Sequence, residues 1–153
     1  MVRSMIRLIV LAFAAGVLGV LVFHQGAALL LQQFVAASPE ARAVFGQVQP
    51  PFQTVPASPL GVPAVLTAAL WGGIWGILLA LMLRTGPMPV LIAGFVFGAV
   101  VLTLAGFTLI AALKGLPLLA GADRQAWLRA GLLNGVWGWG TALLLKAMAL
   151  RQG

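Results

Sequence analysis

Four long apolar stretches constrain the fold of this chain more than any other feature of its sequence. We predict membrane-spanning helices over residues 8–31, 63–83, 89–113 and 124–149, since about 20 apolar residues are needed to cross the hydrocarbon core of a bilayer. Only 7% of the residues are charged, against about 25% in a soluble domain. The sequence therefore predicts an all-α integral membrane protein, with residues 1–153 forming one transmembrane domain of four helices.

The first apolar stretch could be read in two ways. Arg3 and Arg7 precede it and small residues follow at Val35-Ala36-Ala37, which is also the layout of a secretory signal peptide. The apolar run is, however, much longer than the roughly 7–15 residues of a signal peptide. We therefore expect an uncleaved first span.

Residues 32–62 form the one long connection between predicted spans, and this connection contains five prolines. Proline excludes a long helix or a central strand here. Ser38-Pro39-Glu40 is typical of a helix start, and Gly46 of its end, so we predict one short helix followed by an extended segment. The prolines of this connection are Pro39, Pro50, Pro51, Pro56 and Pro59.

The positions of the cations predict the orientation in the membrane. The net charge of +7 comes from cations at the ends of apolar runs and from no basic cluster, so we expect no nucleic-acid partner. Lys and Arg favour the cytoplasmic side. We predict a multi-pass protein of a bacterial inner (plasma) membrane with cytoplasmic N- and C-termini. The inner cations are then Arg3, Arg7, Arg84, Lys146 and Arg151, and the outer ones Arg42, Lys114, Arg124 and Arg129.

One sequence pattern occurs twice. Residues 71–84 read WGGIWGILLALMLR and residues 133–146 read LNGVWGWGTALLLK, with matching Gly, Trp, Ala and Leu positions at a constant offset. The pattern suggests a tandem two-helix repeat with a pseudo-twofold axis along the membrane normal. The first and third spans share little beyond Ala15-Gly16 and Ala93-Gly94, and apolar sequence of low complexity also produces chance matches.

Small residues recur on single faces of the predicted helices. Ala68, Gly72, Gly76 and Ala80 lie four residues apart, a spacing that lets helix backbones approach closely. Such faces could pack within the chain or against another subunit. Trp71 and Trp75 are predicted to be packing residues on a neighbouring face, and Leu79 to face lipid. The predicted helix-packing glycines are Gly72, Gly76, Gly94, Gly98, Gly135 and Gly138.

A few polar side chains fall at similar depth towards the predicted outer side. Polar groups within a membrane tend to face protein or water, so they could converge on an outward-facing pocket. Alternatively, His24 and Asn134 could hydrogen-bond to each other or to a backbone carbonyl and so link two helices. The candidate pocket residues are His24, Gln25, Thr67, Thr108 and Asn134.

No arrangement of residues indicates catalysis. The chain has no Cys and one His, and no acidic residue lies within a predicted span, so we expect no metal site, cofactor or enzymatic activity.

Three segments carry a resemblance to a known group: residues 23–26 (FHQG), 59–63 (PLGVP) and 70–76 (LWGGIWG). Together they resemble an uncharacterised family of small four-span bacterial inner-membrane proteins, over roughly the first half of the chain. The resemblance implies a four-span membrane protein and no particular activity. Two functions fit the sequence: a structural or accessory component that self-associates or joins a larger membrane complex, or a small transport or ligand-binding protein using the polar pocket.

Overall fold

The computed structural model describes residues 2–57 and 60–148, and four long helices make up most of them. Helix α1 consists of Val2–Leu18, a π-helical segment Gly19–His24, and Gln25–Ala37. Helix α4 is also continuous and contains two π-helical segments. Its parts are Val90–Val96, Phe97–Leu102 (π), Thr103–Ala105, Gly106–Ile110 (π) and Ala111–Leu113. The remaining helices are α2 (Pro39–Phe45), α3 (Ala64–Thr85) and α5 (Arg124–Met148).

Three of these helices are long and apolar enough to cross a membrane: α1, α3 and α4. This supports a membrane protein, but the expectation of four such segments is met only in part. Helix α5 has the length of a span, yet Arg124, Gln125, Arg129 and Asn134 lower its hydropathy. Its central residues are buried against the other helices, so it does not need an apolar surface all around.

The first helix is longer at both ends than residues 8–31, so the connection begins at Ser38 and not at residue 32. The predicted short helix in this connection is confirmed as α2. The Ser38 hydroxyl accepts the Ala41 N–H at 3.1 Å, and Gly46 ends the helix with φ +66°. A backbone N–H and the Ser38 hydroxyl both donate to Glu40 and lower the pKa of its carboxyl.

A two-stranded antiparallel sheet corrects the all-α prediction. Strand β1 (Pro56–Ala57) pairs with β2 (Val62–Pro63), with Pro56 opposite Pro63. Pro is compatible with such a pair because each strand is an edge strand and needs no N–H at these positions. Helix α3 starts directly after Pro63, which precedes its first turn.

The connection between α4 and α5 contains a 3₁₀ turn, Leu118–Ala122, with left-handed backbone angles. Asp123 follows it, and its carboxylate accepts the Gln125 N–H at 2.9 Å. Asp123 is therefore the N-cap of α5. The predicted end of α5 at residue 149 lies outside the described residues.

Helices α1 and α3 cross at glycines whose backbones touch. A Cβ on Gly76 would lie 2.5 Å from the Ala12 carbonyl oxygen, and one on Gly16 would overlap the Gly72 carbonyl. Leu79 belongs to this buried core, with no exposed surface, so the expectation that it faces lipid is wrong. Its neighbour Leu78 is 45% exposed.

Helices α4 and α5 cross in the same manner. A Cβ on Gly94 would lie 2.5 Å from the Gly138 carbonyl oxygen, and one on Gly98 would overlap the Asn134 carbonyl. Gly135 lies under the ring of Phe95. All six predicted packing glycines therefore lie at contacts between helices of the same chain.

The contacts of the two helix pairs correspond position by position. Gly73 faces the ring of Phe13 as Gly135 faces that of Phe95, and Gly76 meets Ala12 as Gly138 meets Gly94. Gly16 on Gly72 likewise corresponds to Gly98 on Asn134. Corresponding residues of α3 and α5 are separated by the same offset as in the repeated sequence pattern. In α1 and α4, Gly16 corresponds to Gly98, four residues beyond the Gly94 with which the sequence match pairs it.

Helices α1 and α5 hold the two pairs together. Trp137, which has no exposed surface, donates its indole N–H to the Gly16 carbonyl at 3.1 Å. Gly19 packs against Trp137 and Thr141, and Gly140 against the ring of Phe23. This contact runs along the π-helical part of α1 and closes that side of the helix assembly.

Candidate ligand cavity

A cavity of about 420 Å³ lies where the helix assembly meets the Pro-rich loop. Helices α1, α3, α4 and α5 each contribute walls, and residues 48–53 of the loop cover it. The polar lining residues are His24, Gln25, Gln49, Gln53, Arg129 and Asn134.

Hydrogen bonds hold the covering loop at fixed points. The Gln25 side-chain oxygen accepts the Phe52 N–H at 2.7 Å. The Val55 and Gln53 carbonyls accept the first two N–H groups of α3, those of Ala64 and Val65, at 2.9 and 3.0 Å. The loop thus caps α3 with its own backbone and is bonded to α1 from inside the cavity.

The short helix α2 is tied to α5 on the other side. Gln125 donates to the Ala43 carbonyl at 3.0 Å, and Arg129 donates to the Phe45 carbonyl. These bonds satisfy carbonyls at the end of α2, where helical partners are missing. They also place the Arg129 side chain at the cavity wall.

A second cavity of about 230 Å³, here called the crevice, adjoins the first and lies between α3 and α4. His24, Ala64, Ala68 and Asn134 line both spaces, so the two adjoin across these side chains. The crevice is backed by α1 and α5 through Val20, His24, Asn134 and Trp137. Its α3 and α4 walls contain Thr67, Trp71, Trp75, Leu102, Gly106, Ile110 and Lys114.

Four of the five predicted pocket residues lie at these cavities. His24 and Asn134 line both, Gln25 lines the first and Thr67 the crevice. Thr108 does not join them, because its hydroxyl donates to the Leu104 carbonyl of its own helix at 2.7 Å and is exposed.

His24 and Asn134 do not bond to each other. The Asn134 amide donates to the Thr103 hydroxyl at 3.0 Å, and the His24 ring lies 3.4 Å from the Gln25 amide nitrogen. The predicted alternative of a direct hydrogen bond between His24 and Asn134 is therefore wrong.

Two lining residues of the crevice carry buried polar atoms without a hydrogen-bond partner: the Thr67 hydroxyl and the Trp75 indole N–H. Thr67 is 2% exposed. Most buried polar side-chain atoms are hydrogen-bonded, and each one left unpaired costs about 1–3 kcal/mol. Both atoms have less than 1 Å² of accessible surface, so a molecule in the crevice can supply the missing hydrogen bonds only where the surrounding side chains move apart.

The charged lining residues are all cationic. Lys114 lines the crevice at the end of α4, and Arg129 lines the cavity beneath the loop. The two acidic residues, Glu40 and Asp123, are not among the lining residues. Within residues 2–57 and 60–148, no group of three or more His, Cys, Asp or Glu side chains could hold a metal ion.

Comparisons with protein-family models, curated proteins and solved structures give no match. The functional argument therefore depends on the geometry of this chain alone.

Several lining residues were not predicted from the sequence. Trp75 packs against the hydrophobic core and Phe97, as the sequence predicts for a packing residue, and both Trp71 and Trp75 also line the crevice. In the sequence, Lys114 and Arg129 indicate only the orientation in the membrane and not a cavity wall. Apolar residues of the Pro-rich loop, such as Phe52 and Val55, indicate that this loop lies against the helices, whereas the repeated Trp pattern does not distinguish Trp75 from Trp137.

Proposed function

We propose that this protein is a non-enzymatic, four-span protein of a bacterial inner membrane that binds a small amphipathic molecule in the joined cavity and crevice. Helix α5 serves as the fourth span, both termini lie in the cytoplasm and the Pro-rich loop covers the binding site from outside.

The observation that carries this proposal is that the two spaces lie side by side and share the lining residues His24, Ala64, Ala68 and Asn134. Polar groups line the part beneath the loop, and indole and aliphatic groups line the part between α3 and α4. Ligand pockets typically combine a mostly apolar wall with a few convergent polar groups. An amphipathic molecule fits this division between polar and apolar walls.

Two further features agree with a binding site. The three π-helical segments include or border lining residues such as His24, Leu102, Gly106 and Ile110, and π-helical segments occur frequently at functional sites. Uncompensated cations without acids at the walls also favour a ligand over a purely structural space.

Self-association through the small-residue faces, the other function considered, has less support. The six packing glycines contact α1, α4 or α5 of the same chain, so these faces are already covered. A partner would need a different surface.

The corresponding contacts of the two helix pairs support a tandem duplication of a two-helix unit. In this proposal, a pseudo-twofold axis along the membrane normal relates α1 and α3 to α4 and α5. The two pairs are not fully equivalent, because Trp137 joins α5 to α1 whereas a crevice separates α3 from α4. The binding site occupies this difference.

Filling the cavity tests the proposed function. Ala68 lines both spaces, so an Ala68→Trp side chain should exclude a ligand. Ala112→Trp is the matched control, since Ala112 is exposed on α4. We expect native mass spectrometry of the protein extracted from membranes to detect a bound small molecule in the wild type and in Ala68→Trp none.

The control Ala112→Trp should retain the same molecule as the wild type. A wild-type protein that carries only detergent, or an Ala68→Trp variant that keeps the same molecule, would contradict binding in this cavity.

A further inference from the structure

The crevice exists because one side of the helix assembly is closed by a tryptophan and the corresponding side is not. Trp137 donates to the Gly16 carbonyl and joins α1 to α5. By the correspondence of the helix pairs, Trp75 would donate to the Gly98 carbonyl and join α3 to α4. That carbonyl instead accepts the Thr103 hydroxyl at 3.4 Å, and the Trp75 N–H is left without an acceptor.

The unpaired atoms specify the chemistry of an occupant. An indole N–H can only donate, and a hydroxyl can donate or accept. The Thr67 and Trp75 atoms therefore both suit an oxygen acceptor on the occupant. The two donors lie eight residues apart in α3, roughly 12 Å along the helix, so a single head group that reaches both must carry carbonyl oxygens at its two opposite ends.

The depth of Trp75 favours a neutral head group over a charged one. Trp75 lies eleven residues beyond Ala64 in α3, or roughly 16 Å along the helix. The cation of the crevice, Lys114, lies at the other end of the space, after the last residue of α4. An anionic group beside Trp75 would be desolvated without a nearby cation, which is costly.

The crevice walls favour a flat ring with an apolar tail. Trp71, Trp75 and Trp137 line it, and Phe97 packs beside the last two, with centroid distances of 6.3 and 6.4 Å. These distances are typical of favourable aromatic contacts. Ile74 of α3 and Val101 of α4 are exposed apolar residues next in sequence to the lining residues Trp75 and Leu102, so we place the exit of the tail towards lipid between these two helices.

We infer that the occupant is a membrane lipid whose head is a flat ring with neutral carbonyl oxygens, the chemical class of the prenylquinones. The Trp75 N–H and the Thr67 hydroxyl donate to its carbonyl oxygens, and the tail leaves between α3 and α4. This inference rests on the proposed binding function and specifies its ligand.

A short-chain quinone provides the probe. Decylubiquinone is added to the purified full chain in detergent, with decanol as the tail-matched control and phosphatidylglycerol as the anionic alternative. We expect decylubiquinone alone to raise the midpoint of thermal unfolding and to quench tryptophan fluorescence saturably. Equal effects of decanol, or stabilisation by phosphatidylglycerol alone, would overturn the inference.

Two variants test the assigned donors. Thr67→Val replaces the hydroxyl by a methyl group and keeps the shape, whereas Trp75→Phe removes the indole N–H together with one ring. Each should weaken binding of decylubiquinone about fivefold. The matched controls are Trp139→Phe, at a residue outside the crevice lining, and Thr141→Val, which removes another unpaired buried hydroxyl. Both controls should bind as the wild type does.

The unliganded proteins separate binding from structure. The Thr67 hydroxyl has no partner to lose, so unfolding of Thr67→Val without quinone should match the wild type or occur at higher temperature. Trp75→Phe also removes apolar volume beside Phe97 and should unfold at lower temperature. Equal quinone affinity in all four variants would overturn the donor assignment. If Ala68→Trp excludes a native ligand but decylubiquinone does not bind, the cavity function stands and the quinone class is wrong.

Discussion

Individual backbone conformations in the α4–α5 connection depart from what their side chains favour. Leu119, Ala120 and Ala122 have φ values of +53°, +52° and +63°, in the left-handed region that L-residues enter at a cost of roughly 1–2 kcal/mol each. Gly121 lies among them with φ +59°. The turn places Asp123 at the start of α5, where its carboxylate accepts the Gln125 N–H. The Leu119 carbonyl in the turn accepts the Trp127 indole N–H, and these hydrogen bonds offset part of the strain.

Relieving this strain gives a prediction for one residue. Ala122 is exposed, and Ala122→Gly should stabilise the protein by about 0.5–1 kcal/mol, the relief of left-handed strain less the added entropy of an unfolded glycine. The same substitution at Ala27, inside α1, should destabilise it by about 1 kcal/mol. Thermal unfolding in detergent measures both, and shifts of the same sign would contradict the strain argument.

At the scale of whole helices, glycine contacts determine how closely the elements pack. Gly76 and Gly138 occupy corresponding positions, each against the backbone of its partner helix. In lipid there is little hydrophobic drive between helices, so such close contacts supply much of the packing energy.

Bulky substitution at these positions should separate the helices. Gly76→Leu and Gly138→Leu should each cost at least the roughly 1–3 kcal/mol that overpacking typically costs, and lower the folded yield or the unfolding temperature in detergent. Leu78→Ile is the control, since Leu78 is exposed and volume is kept. Similar behaviour of all three variants would show that these contacts do not hold the helices together.

The elements that the sequence predicted well are those with strong local signals. The ends of α2 follow from Ser38, Pro39 and Gly46, and the start of α5 from Asp123. The π-helical segments of α1 and α4 have no such local signal in the sequence. Leu79 was misplaced for a related reason: with apolar residues on every face of α3, hydropathy cannot tell the buried face from the exposed one.

For the whole molecule, the sequence predicted which helices exist but not how the two pairs meet. Because His24 and Asn134 are predicted at similar depth below the outer surface of the membrane, the sequence alone indicates a pocket between them. The crevice was not predictable, because it depends on a hydrogen bond made by Trp137 and missing at Trp75. These two residues look alike in the repeated sequence pattern.

The arrangement in the membrane is the remaining prediction at this scale, and the absence of Cys from the chain makes it directly testable. Thr54 in the Pro-rich loop, Leu118 between α4 and α5, and Thr85 at the end of α3 are exposed, and each can be replaced by Cys singly. A fourth variant carries one Cys added after Gly153. If α5 is a span and both termini are cytoplasmic, a membrane-impermeant maleimide should label Thr54→Cys and Leu118→Cys in intact cells. Thr85→Cys and the added Cys should react only after the membrane is permeabilised.

Labelling of the added Cys from outside together with protection of Thr85→Cys would mean that α5 does not cross the membrane. Labelling of Thr85→Cys from outside would instead mean that the whole orientation is reversed, and the cavity would then open to the cytoplasm.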